Sequence, residues 1–155
     1  MFALLIFTGS GNGDIYECVS PDDDCQYYEF SDNWEVAEGS FGNFANDVRD
    51  ANEPYWGVKL LPGESAWVKL HSDRQLEGTM VWDHYIATDR LYARLCYDRS
   101  FKDCPYESGT EFVTQSDLTW KTNDAFVEET SEVYMVCQND GQNIGYCGFD
   151  NFSFS

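Results

Sequence analysis

Apolar and polar residues alternate with a period of two along much of this chain, whereas a helical period is nearly absent. Because successive side chains of a strand point to opposite faces, such alternation predicts half-buried β-strands. Ser65–His71 sets Ala66, Val68 and Leu70 against Trp67, Lys69 and His71. Gly78–Ala87 gathers Met80, Trp82 and Ile86 on one face together with His84, which reads better as a hydrogen-bonded histidine than as a ligand. Arg90–Tyr97 opposes Leu91, Ala93, Leu95 and Tyr97 to Tyr92, Arg94 and Cys96. Shorter strands are expected at 111–114, 118–120 and 125–127, and a closing hairpin runs from Glu132–Gln138 through Asp140-Gly141 into the last strand. Phe44–Ala51 is the best helical candidate, and a loop fits it equally well. Many short strands with turn signals between them give an all-β antiparallel β-sandwich of the jelly-roll kind.

The last strand, Tyr146–Phe154, is dominated by aromatic residues, yet Asp150 sits in its middle. A carboxylate in such company is costly unless a metal, hydrogen bonds or exposure compensate it. The chain is acidic throughout, with 28 Asp and Glu against 9 Lys and Arg and a formal charge of -19. That field repels nucleic acid and anionic membranes and attracts hard cations such as calcium. Its simpler use is to keep a secreted protein in solution.

Six cysteines fall into close pairs, and the local pairing Cys18–Cys25, Cys96–Cys104 and Cys137–Cys147 is expected of an oxidising compartment. Such short loops would each contribute about 2–3 kcal/mol by stapling hairpins. Zinc is disfavoured because no pair has C-x-x-C spacing and neither histidine lies near a pair. Residues 1–13 read as the remnant of a signal peptide or as a first strand, and 14–155 as a single domain. No apolar run is long enough for a helical membrane span. The sequon at Asn151 lies within a predicted strand, which argues against glycosylation.

No carboxylate pair, nucleophile setting or phosphate-cradling loop stands out, so the chain reads as non-catalytic. Asp22-Asp-Asp24 reads as a solvated charged turn. Glu53-Pro-Tyr-Trp56 is expected to be a loop with Tyr55 and Trp56 available to stack on a sugar, and Trp67 on the polar face of its strand is a further candidate.

The segment Ile15-Tyr-Glu-Cys18, then Cys25 and Ser31-Asp-Asn-Trp34, resembles the opening of MAM domains. Gly63–Leu70, Leu91–Cys96 and the ending Gly145-Tyr-Cys-Gly-Phe-Asp-Asn-Phe-Ser-Phe154 are similar to later elements of that family, in order. The first and last motifs equally resemble calcium-binding carbohydrate-binding modules, and both groups share a galactose-binding-like sandwich. The resemblance implies a structural calcium between Glu17 and Asp150, against the alternative that Asp150 accepts ordinary hydrogen bonds. It implies a secreted recognition module for extracellular adhesion or protein–protein contact, with self-association as one form. Lectin-like binding of a glycan through Tyr55, Trp56 or Trp67 is the alternative.

Overall fold

The computed structural model describes residues 16–43 and 47–155. The expectation for residues 1–13 lies outside this range. Among the described residues nine strands follow in chain order: β1 Tyr16–Cys18, β2 Tyr28–Phe30, β3 Trp34–Ala37, β4 Tyr55–Leu60, β5 Ser65–Ile86, β6 Leu91–Cys96, β7 Tyr106–Gly109, β8 Lys121–Asn139 and β9 Gly145–Phe154. Every pairing between them is antiparallel, and the ladders run β3-β4-β9-β5-β8-β6-β7, with β1 added to β9 and β2 to β5. The jelly-roll β-sandwich expected from the alternation is present.

β5 and β8 make this a sandwich. They pair from Ser65↔Gln138 to His84↔Lys121, with register shifts between His71 and Gly78. Bulges raise local twist and bend a strand, so the ribbon passes from one layer into the other. Its first half, with β2, β6 and β7, forms one layer, and its second half, with β9, β4, β3 and β1, forms the other. Ala66, Val68 and Leu70 from the first half and Met80, Trp82 and Ile86 from the second share one core cluster with Val58, Leu95, Met135, Phe149 and Phe152.

Several sequence expectations change. Residues 65–71 and 78–86 belong to one continuous strand, not two, and Ala87 lies just beyond its end. Positions 111–114 and 118–120 are not strands. Their backbone turns through a 3-10 segment, Gln115–Asp117, because the Asp117 carboxylate accepts hydrogen bonds from Thr114 N (2.8 Å) and Oγ1 (2.9 Å). Of the helical candidate 44–51, the described part is extended or irregular, and Val48 exchanges backbone hydrogen bonds with Phe41. Strand β4 occupies 55–60, so Tyr55 and Trp56 are not in a loop.

Cys18–Cys25 and Cys96–Cys104 are disulfide-bonded. Cys137–Cys147 is a correction, since both are free and buried. The hairpin it was to staple is not there either. β8 and β9 do not pair, and Cys137 lies beside Ala66 and Ala93 in one layer while Cys147 lies beside Val58 and Ile86 in the other. Burial, reinforced by the neighbouring Cys137, pushes the Cys147 thiol far above its ordinary range.

Asn139 fixes the crossing from β8 to β9. Fully buried, it donates from Nδ2 to Leu60 O (3.0 Å) and Asn143 O (2.8 Å) and accepts at Oδ1 from Gly141 N (2.8 Å). Asn139→Ala removes these bonds and strands buried carbonyls, so urea unfolding should show a loss of about 3 kcal/mol. Ellman's reagent should find no reactive thiol in the native protein and two per chain in guanidinium without reductant, given two buried free cysteines. A count of zero in guanidinium would mean the pair is bridged.

Candidate functional site

The outward face of β4, β9 and the second half of β5 carries Tyr55, Tyr146 and Tyr85, which form a second apolar cluster with Ala37, Val48 and Ala87. Two glycines let other segments settle on this face. A Cβ at Gly57 would lie 2.8 Å from the Phe41 ring, and one at Gly148 would lie 2.9 Å from Cη2 of Trp120. The absence of side chains there is what admits those rings. Trp120 is held edge-on to Tyr55 (centroids 5.1 Å apart) and Tyr85 (5.8 Å), and its Nε1 donates to Arg49 O (2.9 Å).

Beside Trp120 opens a cavity of about 340 Å³ lined by Asp50, Ala51, Asn52, Glu53, Asp83, Trp120 and Asp150. Asp83 and Asp150 are cross-strand partners on β5 and β9. Asn151 then takes a left-handed conformation (φ 58°), which breaks the alternation next to Asp150. Asp83 is satisfied by Thr122 Oγ1 (2.7 Å) and more distantly by Asn151 Nδ2 (3.4 Å). Asp150 is not: its Oδ1 is buried without a hydrogen-bond partner. Burial, reinforced by the Asp83, Glu53 and Asp23 carboxylates, pushes its pKa up to about 7, with the Asn151 N–H acting in the opposite direction. The cavity therefore presents a surplus of acceptors, four carboxylates against the single side-chain amide of Asn52, beside an indole.

Only Asp150 among the sequence-predicted residues lies here. Glu17 is exposed on β1 opposite Ser153, roughly 10 Å along β9 from Asp150. The pair Glu17 and Asp150 therefore does not fit a shared calcium. Among the described residues, no group of three or more His, Cys, Asp or Glu is arranged to hold a metal. Tyr55 is fully buried, with its hydroxyl donating to Gly39 O (2.8 Å), and Trp56 is buried on the inner face against Phe30 (4.8 Å). Neither offers a ring to solvent, because β4 has an apolar layer on both sides. Trp67 is half-buried, lies edge-on to Tyr134 (5.7 Å) and carries the Arg99 guanidinium 4.6 Å above its ring. Asn151 is exposed at the rim of the Asp150 cavity. His84 is buried, hydrogen-bonded to Asn123 Nδ2 (3.1 Å), and lowered to about 4 by burial and by Lys121.

Sequence reasoning missed Trp120, Asp83 and Asp50–Asn52, while Glu53 belongs to the expected sugar-platform segment Glu53-Pro-Tyr-Trp56. Their one local signal was the acid-and-amide run Asp50-Ala-Asn-Glu53 before a proline.

These layers and this long bent ribbon define a jelly-roll β-sandwich. No protein-family model and no curated protein sequence matches the chain. Solved structures match its fold. A cleaved adhesin domain of Lys-gingipain from Porphyromonas gingivalis superposes with a TM-score of 0.63 at 10% identity, covering 92% of this chain and 98% of that one. A family 29 carbohydrate-binding module complexed with mannohexaose gives 0.54 at 9% identity, covering 91% and 90%. TmCBM61 in complex with β-1,4-galactotriose gives 0.50 at 11% identity, covering 83% and 86%. At these identities the likeness concerns the fold. It supports the jelly-roll class, while the narrower likeness to MAM domains rests on sequence motifs alone.

The raised pKa of Asp150 has a signed consequence. Between its unfolded value of 3.8 and its folded value of about 7, the folded state holds more protons, so this group's contribution to stability falls as pH rises through that window. In EDTA, Asp150→Asn should gain stability over the parent at pH 8 and lose that advantage at pH 4. Parallel melting curves across this range would remove the assignment.

Proposed function

We infer that this chain is a non-catalytic carbohydrate-binding module that takes a neutral glycan at the Asp150 cavity. The observation that carries this reading is the partnerless buried oxygen of Asp150 beside the half-exposed ring of Trp120. Sugar hydroxyls are donors and would satisfy the carboxylates of Asp50, Glu53, Asp83 and Asp150. The apolar face of a pyranose suits an indole held in place by its neighbours. A formal charge of -19 disfavours sulfated or uronate-rich chains. The solved modules named for carbohydrate binding lend this reading more weight than protein adhesion. Two local disulfides support an oxidising, extracellular setting.

Calcium belongs to the proposal in a revised position. Its carboxylates would be the cross-strand pair Asp150 and Asp83 rather than Glu17, with the remaining oxygens supplied by water or by sugar hydroxyls. A hard cation there would supply the positive charge this cavity lacks.

A neutral-glycan array is the test, with mannohexaose and β-1,4-galactotriose among its sugars. Binding to a related set should fall at least tenfold in Trp120→Ala and persist in Trp56→Phe. A blank array would return the chain to protein adhesion. Millimolar calcium should raise the melting temperature over EDTA in the parent and not in Asp150→Asn, and equal melting with and without calcium would remove the metal.

A further inference from the structure

Another cavity, of about 310 Å³, opens where three connections converge: the β5–β6 turn, the segment after β7, and the β8–β9 crossing. Arg90, Glu111, Phe112, Gln142 and Asn143 line it. β9 begins just after Asn143 and carries Asp150 farther on, so roughly 23 Å of extended strand separates this mouth from Asp150.

Its frame is rigid for a loop site. Asp140 N donates to Arg90 O (2.9 Å), Arg90 N to Thr110 O (3.0 Å) and Val113 N to Asp89 Oδ1 (2.6 Å). From beneath, the buried Asn139 side chain holds the crossing at Gly141 N and Asn143 O (2.8 Å each). Gly141 lies close against the β5–β6 turn, where an added Cβ would come within 3.2 Å of Arg90 Cβ and Asp89 O. Arg90 itself sits in the left-handed region (φ 60°), a conformation that non-glycine residues adopt at a cost.

On this frame stand groups with no internal employment. Phe112 is 65% exposed, a large ring facing water. The side-chain amides of Gln142 and Asn143 are exposed and make no hydrogen bond among the described residues. Arg90 and Glu111 form a surface pair at 3.3 Å, so charge at the mouth is largely balanced and both donors and acceptors are on offer. An apolar ring flanked by neutral amides and a closed ion pair suits a ligand with one apolar face and a rim of hydroxyls. It does not suit a polyanion, which Asp89 and Glu111 would repel.

We propose that this mouth is a second glycan-binding point, taking a neutral hexose residue with its apolar face on Phe112. The hydroxyls of that residue are read by the Gln142 and Asn143 amides and by the Arg90–Glu111 pair. The proposal rests on the carbohydrate-binding reading above but uses none of the residues of the Asp150 cavity.

Titration of the full ¹⁵N-labelled chain with mannohexaose, and separately with β-1,4-galactotriose, tests it by NMR. The side-chain amides of Gln142 and Asn143 and the backbone amide of Phe112 should shift, and should still do so in Trp120→Ala. Phe112→Ala, at an exposed position, should weaken those shifts at least tenfold while leaving the Trp120 indole response unchanged, and Asn143→Ala should act in the same direction. Shifts confined to the Trp120 indole and the residues around Asp150 would overturn the second site and spare the first. Silence at both places would overturn the carbohydrate reading and this proposal with it.

Discussion

The fold depends on the antiparallel ladder of β5 with β8, which runs through both layers of the sandwich. Each layer takes its other strands from one end of that ribbon, and the core is what lies between its two halves. Register is correspondingly strict. Side-chain direction alternates at every residue, so a slip by one would turn Ala66, Val68, Leu70, Met80 and Trp82 outward together. The irregularities between His71 and Gly78 place the bend in a mainly polar and charged stretch anchored by the buried Leu76, and keep the same parity inward on both sides of it.

Two buried titratable groups on this scaffold act against each other. His84 is held neutral, with its pKa lowered from 6.5 to about 4, so its contribution to stability is complete above 6.5 and is lost as pH falls towards 4. The Asp150 contribution changes over nearly the same window in the opposite direction. A flat pH profile of overall stability between 4 and 7 is therefore the sum of two slopes and would not mean that neither group is perturbed. The two differ in position. His84 faces inward and is bonded to Asn123, whereas Asp150 faces a cavity that an outside donor can enter.

How much of this could be read from the sequence follows the range of each interaction. Alternation is local, so the strands at Ser65–His71, Gly78–Ala87 and Arg90–Tyr97 were legible, and so were the disulfides that close short loops. Asp150 was legible as a problem because its neighbours in the chain are aromatic. Its answer was not legible, since Asp83, Glu53 and Trp120 arrive from separate segments. Tyr55 and Trp56 misled for a physical reason. Adjacent aromatic residues suggest one ring in and one ring out, but β4 carries the main core on one face and a second apolar layer on the other. Trp120 looked like part of a short strand, because its anchor is the Arg49 carbonyl and its seat is Gly148, neither of them near in sequence.

The two disulfides close only local loops, of 7 and 8 residues in sequence separation, and neither includes β9. β9 nevertheless pairs with β4, β5 and β1 and contributes Phe149, Phe152 and Phe154 to the core. What holds β9 in place is therefore pairing and packing, not a bridge. A cut between Asp140 and Ile144 would leave the segment that carries β9 held to the sandwich by its ladders and its three buried phenylalanines, so that integrity of the fold after nicking would measure non-covalent strand association directly.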